Sequence, residues 1–176
     1  MRRTLVIAAL ALGIATPALA QMKEGTYNGT FSGYSTYKAT QIGKERVLTT
    51  FDTNALSITD GFLDHMTWHC LGMADFTNGV GQGHGYCVGT DPTGDQVVWN
   101  FGPDEKHARD QKSWSGSGTF TSGTGKYAGI SGGGTYTVHG PDFRSTAEGT
   151  GFAYNTIEGH YKIPAPEATG STTPSK

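Results

Sequence analysis

The 176-residue sequence has no basic cluster, no long apolar run, only two cysteines and few helix-forming stretches. Nucleic acids are bound through clustered Lys and Arg, so the first absence argues against a nucleic-acid partner. A membrane-crossing helix needs about 18 or more consecutive apolar residues, and no segment reaches that length, so no membrane insertion is expected. Two cysteines allow one bridge, which excludes a disulfide-dense scaffold. There is no P-loop or dinucleotide fingerprint, and no cofactor is expected.

Glycine is abundant, with 27 residues, and lacks the three-residue period of collagen. With Thr, Ser and Tyr also plentiful, the composition predicts an all-β chain of many strands and tight turns. Arg2 and Arg3 precede an apolar stretch over residues 5–14, and Pro17 leads into Ala18-Leu19-Ala20. That is the pattern of an export signal with a small-x-small cleavage site. The expected organisation is a signal peptide over 1–20, one β domain over 21–163, and a disordered Pro/Ala/Ser/Thr tail over 164–176. Loss of Arg2 and Arg3 takes the formal net charge from −2 to −4.

The strongest local signal is Asn78-Gly79. Both residues accept positive φ, so Asn-Gly between strand-like runs predicts a two-residue hairpin turn. Facing residues then sum to 157, which sets Cys70 opposite Cys87. Counting outward from Thr77 and Val80, that pair is non-hydrogen-bonded, with Cα atoms about 4.5 Å apart. Such a spacing suits a disulfide. The next turn, Asp91-Pro92-Thr93-Gly94-Asp95, makes facing residues sum to 186 and puts Trp99 opposite Cys87 and Phe101 opposite Gly85. Asp91 and Asp95 are explained by turn chemistry and need no calcium, whose EF-hand loop carries more carboxylates.

Together these registers assign two faces. Trp68, Cys70, Ala74, Phe76, Cys87, Val97, Trp99 and Phe101 share one, beside a glycine column at 81, 83, 85 and 89 that lets rings lie flat on the backbone. That face is the predicted interior. His69, Leu71, Met73, Gln82, His84, Tyr86, Val88, Gln96, Val98 and Asn100 share the other. Further strands are predicted over 25–40, 46–51, 54–60, 114–121, 134–139, 143–152 and 157–163, with a polar surface loop over 102–112. Sequential hairpins of this kind favour a closed, calycin-like up-and-down antiparallel barrel of about eight strands, stapled by one disulfide.

Gly123-Thr124-Gly125-Lys126-Tyr127, then Gly129-Ile130-Ser131-Gly132 and the strand Gly134-Thr135-Tyr136, resemble the turn of the allene oxide cyclase and dirigent barrel superfamily. The likeness is best over residues 85–140 and points to a secreted, bacterial-type member. It implies an eight-stranded antiparallel barrel, often trimeric, whose apolar cavity binds or steers small hydrophobic molecules. Tyr127 would plug the barrel end. The superfamily's catalytic residues do not map singly onto this chain, so activity is not carried over.

His65, His69 and His84 suggest zinc only superficially. In the derived register His69 and His84 lie about 13 Å apart along the ladder, and zinc holds its ligands within about 2.3 Å. No metal is expected. The residues expected to line a ligand cavity are Phe31, Phe51, Trp68, Trp99 and Phe101. Candidates for acid–base work are Asp64, by parity on the face of Met66 and Trp68, and Tyr37. Arg144 and Glu148 read as an outer-wall pair.

The leading expectation is an exported, secreted or periplasmic barrel that binds a small hydrophobic or aromatic molecule. The alternatives are an isomerase, cyclase or lyase of the allene oxide cyclase type, and a non-catalytic structural or oligomerising module. The semi-apolar outer face suggests a homo-oligomer, a trimer or dimer.

Overall fold

The computed structural model describes residues 22–140 and 148–164. The expected signal peptide, almost all of the expected tail and Arg144 of the expected Arg144–Glu148 pair lie outside them. The strands are β1 (Met22–Ile42), β2 (Arg46–Thr59), β3 (Thr67–Thr77), β4 (Val80–Thr90), β5 (Gln96–Phe101), β6 (His107–Ala108), β7 (Ser113–Gly123), β8 (Ser131–His139) and β9 (Glu148–Pro164). One 3₁₀ turn, Gly125–Tyr127, joins β7 to β8.

Each long strand pairs antiparallel with its neighbour in sequence, and β9 returns to β1. With β3 bonded to both β2 and β4, the sheet closes into an eight-stranded up-and-down barrel. The two-residue β6 is an extra strand that adds to β4. The fold is therefore the antiparallel barrel that the hairpin arithmetic predicts.

Register follows the turn. Asn78 and Gly79 take φ of 52° and 77°, and β3 and β4 pair as Thr77↔Val80, Cys70↔Cys87 and Trp68↔Gly89. The cysteines are bonded, with Cα atoms 4.0 Å apart. Gly94 is left-handed at φ 92°, and β4 and β5 pair as Cys87↔Trp99 and Gly85↔Phe101. Trp68, Cys70, Ala74, Phe76, Cys87 and Val97 are buried, whereas Leu71, Tyr86, His69 and His84 are exposed. The alternation thus separates core from outer wall.

Glycines opposite the rings are spatial requirements. A Cβ on Gly85 would sit 2.6 Å from Phe101 Cζ, and one on Gly72 would sit 2.3 Å from Phe51 Cζ. Without those methyls the two phenyl rings lie over the sheet and stack on each other, centroids 6.1 Å apart at 30°.

Three expectations are corrected. Residues 46–51 and 54–60 form one strand, β2, because Asp52 and Thr53 continue the ladder opposite Leu71 and Cys70. Segments 143–152 and 157–163 merge, within the described residues, into β9, which pairs without interruption along β1 from Lys38↔Glu148 to Met22↔Pro164. The supposed surface loop 102–112 is not wholly surface. It carries β6, and His107 is buried, stacked on Trp114 at 4.9 Å and edge-on to Phe76 at 5.6 Å.

One barrel end is plugged. Phe62, from the β2–β3 connection, stacks on Tyr161 at 3.8 Å and meets Tyr27, Phe120 and Tyr127 at ring distances of 5.8 to 6.1 Å. Tyr127 is buried there.

Two outcomes test this account. The Cys70→Ser/Cys87→Ser double variant should lose about 3 kcal/mol in urea unfolding, the value the chain-entropy model gives for a loop of roughly this length. Gly85→Ala should also unfold at lower urea, because its methyl must displace either the Leu71 carbonyl oxygen, 2.3 Å away, or the Phe101 ring.

Candidate functional site: an aromatic cavity with one carboxylate

Inside the barrel is a cavity of about 170 Å³. That volume holds a small organic molecule rather than a single water. Phe31, Phe51, Trp68, Trp99 and Phe101 all line it, as do Tyr37, Leu63, Trp114, Tyr136 and Ile157. The rings brace one another edge to face, Phe31 on Trp68 at 5.8 Å and Trp99 on Phe120 at 4.8 Å. The Trp68 indole N–H donates to Ser57 Oγ at 3.0 Å, and that hydroxyl donates to the Leu63 carbonyl. The polar edge of this buried indole is thus satisfied, leaving its apolar face to the cavity.

Toward the end where the β1–β2 and β3–β4 turns lie, the wall becomes polar. Asp104 is the one charged residue among the described residues that line the cavity. After β5 ends, residues 102–105 bridge β4 and β7. Gly102 N–H donates to Ser117 O at 2.9 Å, Asp104 N–H to Gly83 O at 2.9 Å, and Glu105 N–H to Ser115 O at 3.0 Å. Tyr136 donates its hydroxyl to Asp104 Oδ1. Glycines make room for the carboxylate: a Cβ on Gly116 would lie 2.9 Å from Oδ1, and one on Gly83 3.0 Å from Oδ2.

The sequence reading missed Asp104 for a definite reason. Trp99 and Phe101 point inward, so simple alternation sends 103 inward and 104 outward. Gly102, at φ 86°, breaks that alternation. The only sequence signal is the Gly102-Pro103 pair, which marks a bend.

Asp64 fares differently. It lies outside the cavity wall, in the β2–β3 connection, where parity does not apply because Leu63 and His65 are left-handed at φ 66° and 53°. Leu63 faces the cavity instead. Asp64 Oδ1 accepts the Thr59 N–H at 3.1 Å and Oδ2 meets His65 Nδ1 at 2.6 Å. The Thr59 amide, and then His65, hold this carboxyl below its usual range. It organises its loop. Tyr37, in contrast, is buried in the cavity wall. His69 bonds to Asp52 at 3.0 Å on the outer wall.

Two buried hydroxyls in the wall, Tyr27 Oη and Thr49 Oγ1, have no hydrogen-bond partner among the described residues. Burial pushes the Tyr27 phenol well above its usual range. Its oxygen lies against the β8–β9 ladder, where a Cβ on Gly159 would come within 2.5 Å.

The Gly-Thr-Gly-Lys-Tyr turn is explained by a second carboxylate. Asp91, buried in the β4–β5 turn, accepts from the Thr93 amide and hydroxyl at 2.8 Å and from the Asp95 amide at 3.0 Å. Its other oxygen takes the Lys126 ammonium at 2.5 Å and the Tyr127 hydroxyl at 3.2 Å. Burial opposes ionisation, but the Lys126 ammonium and the Thr93 and Asp95 donors outweigh it and hold the carboxyl far below its usual range. This cluster ties two turns together at the plugged end and lies outside the cavity lining.

No protein-family profile and no curated protein matches this sequence. Among solved structures it shows a likeness to the "Structure of the pterocarpan synthase dirigent protein GePTS1". The two are 9% identical, with a TM-score of 0.48 over 84% of this chain and 90% of that one. At that level the barrel assignment rests on this chain's own strand order.

Removing the Tyr27 hydroxyl removes an unsatisfied buried group, so Tyr27→Phe should leave stability unchanged or raise it by up to about 1–2 kcal/mol in urea unfolding. Asp91 titrates in the opposite sense to a buried neutral group. Its folded pKa is depressed, so its contribution is complete above the unfolded value of about 4 and is lost as pH falls below it. Asp91→Asn should lower Tm at pH 7 and flatten the fall in Tm below pH 4; an unchanged acid limb would contradict this.

Proposed function

We propose that this chain is an exported barrel that binds a small hydrophobic or aromatic molecule in its central cavity. The observation that carries the reading is convergence: Phe31, Phe51, Trp68, Trp99 and Phe101, drawn from four strands, line one cavity. Apolar walls with few polar groups are the usual make-up of small-molecule sites. The Cys70–Cys87 bond supports an oxidising, secreted or periplasmic compartment. Exposed Tyr34, Leu71, Tyr86 and Phe152 on the outer wall support a homo-oligomer, a dimer or trimer.

A second reading follows from the carboxylate–phenol pair in the wall. An isomerase, cyclase or lyase of the allene oxide cyclase type would fold a reactive substrate against the rings, with one acid or base assisting. Asp104, with Tyr136 and Tyr37 in the same wall, supplies that group. Asp64 is outside the wall, so Asp64→Asn should leave both binding and any turnover unchanged.

Titration with polycyclic aromatic probes, followed by tryptophan fluorescence, tests the binding reading. Saturable quenching at one site per chain is expected, because Trp68 and Trp99 border the cavity. Ala74→Phe, which places a ring in the cavity, should weaken binding at least about tenfold. No response to any probe, or an unaffected Ala74→Phe variant, would defeat the reading.

A further inference from the structure

We infer that a second hollow, outside the floor of the barrel, is a binding site for a small oxyanion, a carboxylate or a phosphate. It holds about 310 Å³ and shares no lining residue with the central cavity, so the inference stands apart from that cavity being a binding site. The floor is one rung of side chains, Val47, Phe76, Gly81 and His107, across β2, β3, β4 and β6. Thr49, Ala74 and Gly83, which line the central cavity, lie two residues further in. Val47 and Phe76 line the hollow on the other side. Its rim is made by Lys44 and Glu45 of the β1–β2 turn, by Asn78-Gly79, and by Arg109 after β6. Backbone bonds lock these three segments together. Asn78 N–H donates to Glu45 O at 2.8 Å, Arg109 N–H donates to Gly79 O at 2.8 Å, and β6 pairs Ala108 with Val80.

Arg109 gives the indication of a ligand. It is half-buried, and its Nε is buried with no partner among the described residues. Neither Arg109, Lys44 nor Glu45 takes part in any ion pair among the described residues. Arg46 and Asp75, which flank Val47 and Phe76 in sequence, are spent on each other at 2.6 Å. Buried donors are normally satisfied, and a guanidinium partly withdrawn from water without an acceptor is an exception that calls for an explanation. An oxyanion supplies one, because one edge of the guanidinium fork matches two oxygens of a carboxylate or a phosphate. Lys44 and Arg109 outweigh Glu45 by one positive charge in the lining. Buried Val47 and Phe76 close the inner side, so an anion on Arg109 is hydrated from one side only and the attraction is less diluted than in open water.

The test is a titration of the full disulfide-bonded chain at pH 7 with sodium acetate, sodium phosphate and sodium chloride, followed by proton–nitrogen correlation spectra. Acetate or phosphate should shift the backbone amides of Asn78, Gly79 and Arg109 and the Arg109 Nε–H saturably, with Kd in the millimolar range or below. The tighter of the two identifies a carboxylate or a phosphate as the natural group. Chloride, which lacks paired oxygens, should give no saturable response. The Trp68 and Trp99 indole N–H signals report on the central cavity and should stay in place. Arg109→Gln should abolish the response, and Arg109→Lys, which keeps the charge and loses the fork, should weaken binding at least about fivefold. Glu45→Gln, at an exposed turn position, should tighten it severalfold, and this variant tests the site even if Arg109→Gln fails to fold. The inference is overturned by no saturable response to either oxyanion, by chloride matching them, by an Arg109→Gln variant that titrates like the parent chain, or by shifts confined to the two indoles. A Glu45→Gln variant that binds more weakly overturns it as well. None of these outcomes bears on the aromatic cavity.

Discussion

The direction of every side chain along the β3–β4 hairpin is decided by two residues, Asn78 and Gly79, that accept positive φ. Strand side chains alternate with period two, so a slip of one residue would turn Trp68, Ala74 and Phe76 out to solvent and bring His69, Leu71 and His84 in. The Cys70–Cys87 bond fixes that choice covalently. Parity is then passed on by pairing: Phe51 sits opposite Gly72, and Phe101 opposite Gly85. The stacked rings that wall the cavity are thus set by a turn at the barrel's far end.

What could be read in the sequence, and what could not, divides along one physical line. Alternation holds wherever the backbone stays extended, so the interior face of β3, β4 and β5, the two registers and the disulfide were all legible. It fails at left-handed residues. Leu63 and His65 turn the chain so that Asp64 serves its own loop, and Gly102 turns it so that Asp104 faces the cavity. The same break of alternation leaves Asp64 out of the cavity lining and brings Asp104 into it. Phe62 escaped notice because nothing local shows that a residue in a connection will fold back as a plug. The breaks imagined at Asp52 and Thr53 reflect the weak strand preference of polar residues, which ladder pairing on both sides overrides.

The glycine-rich turn that gave the sequence its family likeness turns out to serve closure. Lys126 and Tyr127 are both engaged by Asp91, and the Lys126 amide donates to Asp95 at 3.2 Å. Thr124 and Gln96 exchange bonds at 2.8 Å, Thr124 N–H to Gln96 O and Gln96 N–H to Thr124 Oγ1. A buried carboxylate needs several donors to remain charged, and here two turns supply them jointly. The polar groups of the cavity wall lie toward the opposite part of the barrel, where they face an otherwise apolar space.

The β1–β9 seam has a kinetic consequence. It joins the two extremities of the domain, rung by rung from Met22 against Pro164. Non-local pairing of this kind is slow because chain entropy must be spent before any contact repays it. The hairpin between the cysteines is local and can form early. The thiols can therefore meet an oxidant while the cylinder is still an open sheet with two bare edges. Such edges attract other chains, so the interval before the last strand docks is when this molecule is most exposed to aggregation.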